Sequence, residues 1–155
     1  MEKNNPKARE KALNYAFLLL KFRPRSKHEI STRLNKKKFD PLIIDNVLKF
    51  LEEKNFINDE DFTKAWISYR IKSDFGLRRI KLELKQKGIA KDLVEQLAVE
   101  QFKGYSEKSI IEALAKKRLK RMKGLELKKK RQRLYGFLLR RGFSQTKVIE
   151  VINDL

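Results

Sequence analysis

Apolar positions along the chain recur at spacings of three and four residues rather than in strict alternation, which is typical of α-helices. One series of gaps (four, five, five and four) occurs three times, with a single shift of one position in the second copy. A repeat of this kind predicts one helical unit used three times. The positions are Ile30, Leu34, Phe39, Ile44 and Leu48, then Ile80, Leu84, Ile89, Val94 and Leu97, then Leu134, Leu138, Phe143, Val148 and Ile152.

The centre of each copy predicts a tight turn between two helices. The residue before the central apolar position is Lys38 in the first copy but Gly88 and Gly142 in the others, and glycine is preferred just past a helix C-terminus. A further helical stretch precedes each pair of helices. These stretches are Ala8 to Phe22, Asp59 to about Ser73, and Ser106 to about Met122.

The predicted fold is therefore all-α, with three tandem three-helix repeats in one continuous repeat domain. The predicted boundaries are residues 1–55, 56–104 and 105–155. A three-helix unit of some fifty residues buries only a small core, so neighbouring repeats should pack in a row and form an elongated array that can curve.

Capping residues support the predicted helix starts. Ser26 and Glu29 have the spacing of a capping box. Asp40 followed by Pro41 places a carboxylate at the N-cap and proline at the first helical position. The segment 58–61 brings acids to a helix start, where the helix dipole favours them. Ser144 is expected to cap the last helix.

The net charge and its distribution along the chain indicate the kind of partner. Lys and Arg number 39 against 20 acids, so the net charge is +19 and the pI is about 10.2, while apolar residues make up 41% of the chain. Residues 1–50 carry 13 bases and 5 acids, a net of +8, and residues 101–155 carry 16 and 5, a net of +11. The stretch 51–100 is neutral, with ten of each. Basic ends predict contact with a polyanion.

Residues suited to catalysis or to metal binding do not converge. The chain has no cysteine, one histidine (His28) and six isolated glycines, none of which begins a phosphate loop. The acids Glu52, Glu53 and 59–61 are better explained by helix ends than by a magnesium site. We expect no enzyme, no cofactor and no metal. The longest apolar run is six residues, Tyr15 to Leu20, which is too short to span a membrane. We expect a monomer in the cytoplasm.

The stretch 116–133 contains eleven bases and one acid. Ile111, Ala115, Leu119 and Met122 share one helical face, and so do Leu127, Leu134 and Leu138 farther on. We therefore expect two amphipathic helical segments around a turn, held to the core by Leu119, Met122 and Leu127. Arg118 falls on the first apolar face and should snorkel or pair, and Arg131 is in line with the second apolar row. A merely solvated basic face is the alternative. The stripe Phe62, Trp66 and Tyr69 is expected in the core.

Residues 51–89, LEEKNFINDEDFTKAWISYRIKSDFGLRRIKLELKQKGI, resemble the central module of the RecX family of recombination regulators. The matching positions are Ile57, Asn58, Asp59, Phe62, Thr63, Trp66, Gly76, Arg79, Ile80, Glu83, Leu84, Lys87, Gly88 and Ile89. The segment RPRSKHEISTRL, residues 23–34, also resembles the family's opening, whereas Asn55 stands where many members have glycine. The resemblance implies three tandem three-helix repeats in a curved molecule.

The resemblance also implies binding to the RecA recombinase filament on single-stranded DNA, usually with inhibition, and it implies no catalytic residues. The predicted filament or DNA contacts are Lys36, Lys37, Arg78, Arg79, Lys116, Lys117, Lys120, Arg121, Lys129, Lys130 and Arg133. The alternative is a general basic nucleic-acid-binding helical protein that acts without RecA. Helices such as PLIIDNVLKFLEEK, which carry at least as many acids as bases, argue against recognition helices on duplex DNA.

Overall fold

The computed structural model describes residues 5–155, and regular secondary structure in this range is entirely α-helical. The prediction of an all-α fold with three tandem three-helix repeats is confirmed. The first four residues of the predicted first repeat lie outside the described residues. The helices are α1 Pro6–Phe22, α2 Lys27–Lys36, α3 Pro41–Glu53, α4 Asp59–Lys72, α5 Leu77–Gln86, α6 Lys91–Gln101, α7 Glu107–Leu119, α8 Leu127–Arg140 and α9 Gln145–Asn153.

The predicted caps begin these helices. The Ser26 hydroxyl accepts a hydrogen bond from the backbone N–H of Glu29 at 3.2 Å, and the Glu29 carboxylate accepts one from the N–H of Ser26 at 3.1 Å. The carboxylate of Asp40 accepts from the N–H of Leu42 at 2.8 Å. Ser144 accepts from the N–H of Lys147 at 3.3 Å, so side chains satisfy backbone donors that a helix start would otherwise leave unpaired.

The repeated apolar series forms the core. Fourteen of the fifteen positions are buried, and the remaining one, Phe39, is partly buried and packs against the core. The left-handed turn residues also occur where predicted: Lys38 has φ 62°, Gly88 has φ 72° and Gly142 has φ 90°. Each predicted pair of helices therefore forms with its turn in the expected place.

The chain divides into two compact units. Within the described residues, the first unit runs to Ala65 and includes Leu84–Val94, and the second comprises Trp66–Glu83 and Glu95–Leu155. The second repeat is shared between them. In the first unit, α1, α2 and α3 pack around a core that includes Ile30, Val47 and Leu51. In the second unit, α7, α8 and α9 pack around Ile111, Leu134, Phe143 and other apolar residues.

In each unit, a turn of one repeat contacts a helix start of the preceding repeat. In the first unit, the Ser26 hydroxyl donates to the carbonyl of Lys87 at 2.7 Å. In the second unit, the backbone N–H of Gly76 donates to the carbonyl of Arg141 at 2.7 Å. The repeat alignment makes Ser26 equivalent to Gly76 and Lys87 equivalent to Arg141. The same contact between repeats therefore occurs twice, and we call it the joint.

Three expectations about individual positions were wrong. Helix α7 ends at Leu119 rather than near Met122, although the turn that follows still buries Met122. Leu127 is 51% exposed because it begins α8, well ahead of that helix's first buried residue, Leu134. Tyr69 is 59% exposed, so the aromatic stripe reaches the core only through buried Phe62 and half-buried Trp66.

No helix in residues 5–155 is both long enough and apolar enough to cross a lipid bilayer.

Candidate polyanion-binding surface

The basic stretch 116–133 is ordered. Its first four residues form the last turn of α7, and its residues from Leu127 onward form the first half of α8. Leu119 packs against the core of the second unit and Met122 is buried. The predicted arrangement of two helical segments around a turn is confirmed, with Leu119 and Met122 as the attachments.

The eleven predicted contact residues lie in both units. Lys36 and Lys37 are at the end of α2 in the first unit, and the other nine are in the second unit. All are exposed except Lys130, which is half-buried. Among the residues the structure describes, only Arg79 of this set has a carboxylate within 4.0 Å. The other ten cations are therefore available to an external anion.

Arg79 has a structural role. Its Nε donates to Glu83 at 3.2 Å and its Nη1 donates to the carbonyl of Arg140 at 3.1 Å. Glu83 also accepts hydrogen bonds from Arg70 (Nε at 2.8 Å) and from Trp66 (Nε1 at 3.1 Å). Burial by itself raises the pKa of Glu83, but the hydrogen bonds from Arg70 and Arg79 outweigh it and lower the pKa. Arg79 thus joins the start of α5 to the end of α8.

Arg118 and Arg131, which fall on or beside the apolar faces, differ in the contacts that their guanidinium groups make. The guanidinium of Arg118 lies 4.1 Å from the centroid of the Phe137 ring, a cation–π contact. The Nε of Arg131 is buried without a hydrogen-bond partner among the described residues. The expectation that Arg118 would snorkel or pair is confirmed.

Some of these basic residues line an open groove between α7 and α8, which has a volume of about 610 Å³. We call it the arginine groove, and its lining residues are Arg118, Arg121, Met122, Gln132, Arg133, Gly136 and Arg140. Four of these seven residues are arginines and none is acidic. Planar guanidinium groups can bind carboxylates or phosphates in a bidentate manner, so the groove has the chemistry of an anion site.

The structure brings only some of the predicted residues together. Arg121 and Arg133 share the arginine groove. Lys116 lines a separate cavity of about 510 Å³, whose walls also include Glu112 and Asp154. Arg118 and Arg140 belong to the arginine groove but were not among the predicted contacts. The spacing of Gln132, Arg133, Gly136 and Arg140, which places them on one face of α8, was the available signal.

Three of the acids that could suggest a magnesium site contact lysines or backbone. Lys27 pairs through its Nζ with Glu52 at 2.7 Å and donates its backbone N–H to Asp59 at 2.9 Å. Lys64 pairs with Glu60 at 3.0 Å. No group of three or more His, Asp or Glu side chains within residues 5–155 is arranged to hold a metal ion. His28 is exposed beside the turn at Gly88.

Three family models match the chain in order. They describe the first, second and third three-helix domains of RecX, and they match residues 8–51, 58–97 and 103–152. A "Regulatory protein RecX" from Mycobacterium sp. (strain JLS) is 32% identical, over 96% of this chain and 84% of the relative. The protein of that name from Haemophilus influenzae is 27% identical, over 92% and 93%. The crystal structure of RecX from Lactobacillus salivarius matches with a TM-score of 0.78 at 22% identity, over 97% and 98%.

Proposed function

Because the chain belongs to the RecX family of regulatory proteins, we propose that it binds the RecA recombinase filament on single-stranded DNA and inhibits its recombinase and ATPase activities. In this role it acts in DNA repair and the SOS response. It works without catalytic residues: contacts with several neighbouring RecA subunits or with the bound strand block extension or strand exchange. We also propose that it acts as a monomer in the cytoplasm, with repeat boundaries after residues 55 and 104.

The observation that carries the proposal is the set of exposed cations at the end of α7 and the start of α8. Lys116, Lys117, Lys120, Arg121 and Lys129 are exposed, and none has an ion pair with a carboxylate of the described chain. Cations in this state can release counterions from a nucleic acid or meet acids on a partner. Because helices α7 and α8 flank the turn, the backbone that carries these charges is ordered before the partner binds.

The test is inhibition of RecA ATPase on single-stranded DNA by a variant with charge reversed at four positions: Lys116, Lys117, Lys120 and Arg121, each to Glu. We expect inhibition to require at least about tenfold more variant, and binding to become less dependent on salt because fewer phosphates are neutralised. Unchanged inhibition would contradict the proposal. The matched control reverses four exposed lysines elsewhere, Lys11, Lys21, Lys54 and Lys91, which changes the net charge equally.

The alternative function is nucleic-acid binding without RecA, and the arginine groove is the observation that favours it. The two functions differ in whether RecA increases binding of the protein to DNA. A pull-down on immobilised single-stranded DNA, with and without RecA, separates them: retention that rises strongly when RecA coats the DNA supports the filament regulator. Equal retention on naked single strands and duplexes supports the alternative.

A further inference from the structure

We infer that the arginine groove between α7 and α8 is a phosphate-binding site for single-stranded nucleic acid. The inference rests on the proposed function only in expecting a single strand as the ligand. The groove itself is lined entirely by residues of the second unit.

The groove is a concentration of positive charge without a counter-charge. Arg118, Arg121, Arg133 and Arg140 line it, no acid does, and none of the four has an ion pair with a carboxylate in the described part of the chain. Like charges that line one groove repel one another, and a ligand with several negative charges relieves that repulsion. Arginine suits such a ligand better than lysine because its planar fork can contact two oxygens of one phosphate.

Gly136 makes part of the groove lining. It lies inside α8 and outside the positive-φ region, so the backbone does not require glycine there, and glycine within a helix is less stable than alanine. A Cβ at Gly136 would lie 3.0 Å from Nη1 of Arg140. The absence of a side chain therefore leaves room for that guanidinium to lie along the helix and beside the groove.

One of the four arginines has its side chain held before any ligand arrives, and the backbone that carries a second is fixed. Arg118 is stacked on Phe137, which packs against the core of the second unit. The carbonyl of Arg140 accepts a hydrogen bond from Arg79, which fixes the helix end that carries the Arg140 side chain. Donors that are already ordered lose less conformational entropy on binding.

The lining favours a nucleic-acid strand over an acidic peptide. Met122 is its only apolar side chain, so the groove offers little to the apolar residues of a peptide. A nucleic-acid strand carries a negative charge on every phosphate, which suits a groove lined by four guanidinium groups and no acid. Gln132 adds an amide that can both donate to and accept from a base edge. A concave groove also admits a single strand more readily than a duplex.

The decisive variant fills the groove without changing any charge. Gly136→Leu introduces a good helix former, and its control, Ala113→Leu, adds the same side chain at an exposed position of α7 outside the arginine groove. The probe is a fluorescent oligothymidylate of about 20 nucleotides, measured by anisotropy without RecA. We expect Gly136→Leu to weaken binding at least about tenfold, or about 1.4 kcal/mol, and Ala113→Leu to change it less than about twofold.

A second pair of variants tests the groove if Gly136→Leu does not fold, which thermal melting would reveal. Arg121→Gln with Arg133→Gln removes two groove charges, and Lys103→Gln with Lys128→Gln removes two exposed charges elsewhere. Because each phosphate contact on a single strand contributes about 0.7 to the slope of log affinity against log salt, the groove pair should reduce that slope by about 1.4. Equal effects of the two pairs would overturn the inference, as would stronger binding of a polyglutamate peptide than of the oligonucleotide.

Failure here can be distinguished from failure of the proposed function. If a folded Gly136→Leu binds the naked oligonucleotide as tightly as the unaltered protein, the groove is not the site, whatever happens with RecA. If the variant loses the oligonucleotide but still inhibits RecA ATPase, the groove inference stands and filament binding uses other contacts. Inhibition of RecA by the unaltered protein tests the proposed function by itself.

Discussion

The hydroxyl of Ser26 donates a hydrogen bond of 2.7 Å to the carbonyl of Lys87, 61 residues farther along the chain. The same hydroxyl accepts from the backbone N–H of Glu29 at 3.2 Å, so one side chain both caps α2 and joins two repeats. In the second unit the equivalent joint uses the backbone N–H of Gly76 and the carbonyl of Arg141. The joint is therefore a property of the repeat rather than of one sequence.

Ser26→Ala should lower the free energy of unfolding more than the loss of an ordinary helix cap does. Loss of the cap costs about 1 kcal/mol, and the Lys87 carbonyl, left without its donor, adds about 1–3 kcal/mol. We expect the free energy of unfolding to fall by about 2–4 kcal/mol in urea titrations. Ser106→Ala, which removes an exposed cap of α7, is the control and should cost about 0.5–1 kcal/mol. Equal losses would mean that the Lys87 contact contributes nothing.

Gly142→Ala should be strongly destabilising. The residue has φ 90°, and a Cβ there would lie 2.3 Å from the Cβ of Arg79, closer than real side chains approach. Gly124→Ala is the control, because its φ is 85° but nothing lies within 4 Å of the added Cβ. We expect Gly124→Ala to lower the free energy of unfolding by about 1–2 kcal/mol through backbone strain. Gly142→Ala should lower it by about 2–4 kcal/mol, because steric overlap adds to the strain. Similar losses in chemical denaturation would refute a close joint at Gly142.

Lys38→Gly should stabilise the protein. Lys38 occupies the position of Gly88 and Gly142, but its side chain is exposed and its φ is 62°. Glycine relieves the left-handed strain on a residue with a Cβ, so we expect a gain of about 0.5–1 kcal/mol. Asn55→Gly, at φ 58°, should gain less, because asparagine tolerates this conformation and accepts a hydrogen bond from Asn58 there. A loss of stability in Lys38→Gly would disprove this account of the first turn.

Glu29 should make the first unit acid-sensitive. Burial alone raises its pKa, but hydrogen bonds from Arg23, Lys87 and the backbone of Ser26 outweigh burial and lower the pKa from its ordinary value of 4.5 to about 2. Because the folded form has the lower pKa, the stabilisation is present above about pH 4.5 and is lost as the pH falls toward 2. Its full size is roughly 3 kcal/mol.

The measurement is the free energy of unfolding of the unaltered protein and of Glu29→Gln from about pH 7 to about pH 2. The unaltered protein should be more stable at neutral pH, and the two curves should converge in acid. Glu150→Gln, which removes the exposed partner of Lys108, should follow the unaltered protein more closely because solvent screens that pair. A constant difference between the curves of Glu29→Gln and the unaltered protein would mean that the Glu29 charge does not stabilise the fold.

Local features could be predicted well because short-range interactions set them. The apolar period placed fourteen of fifteen core positions correctly, and Ser26, Asp40 and Ser144 cap the helices they were expected to cap. Leu127 and Tyr69 were misplaced because a helical period gives the face of a residue but not whether a neighbour covers that part of the face. The end of α7 was placed too late because helix length also depends on where the next segment must begin.

Residues within about four positions of one another thus specify the three repeats, their caps and their turns through backbone hydrogen bonding and apolar periodicity. The joint between Ser26 and Lys87 and the arginine groove depend instead on how separate helices pack. Arg118 and Arg140 share one groove because α7 and α8 lie side by side, and neither helix alone indicates which of its bases will face the other. Packing therefore places four arginines of a generally basic chain in one groove.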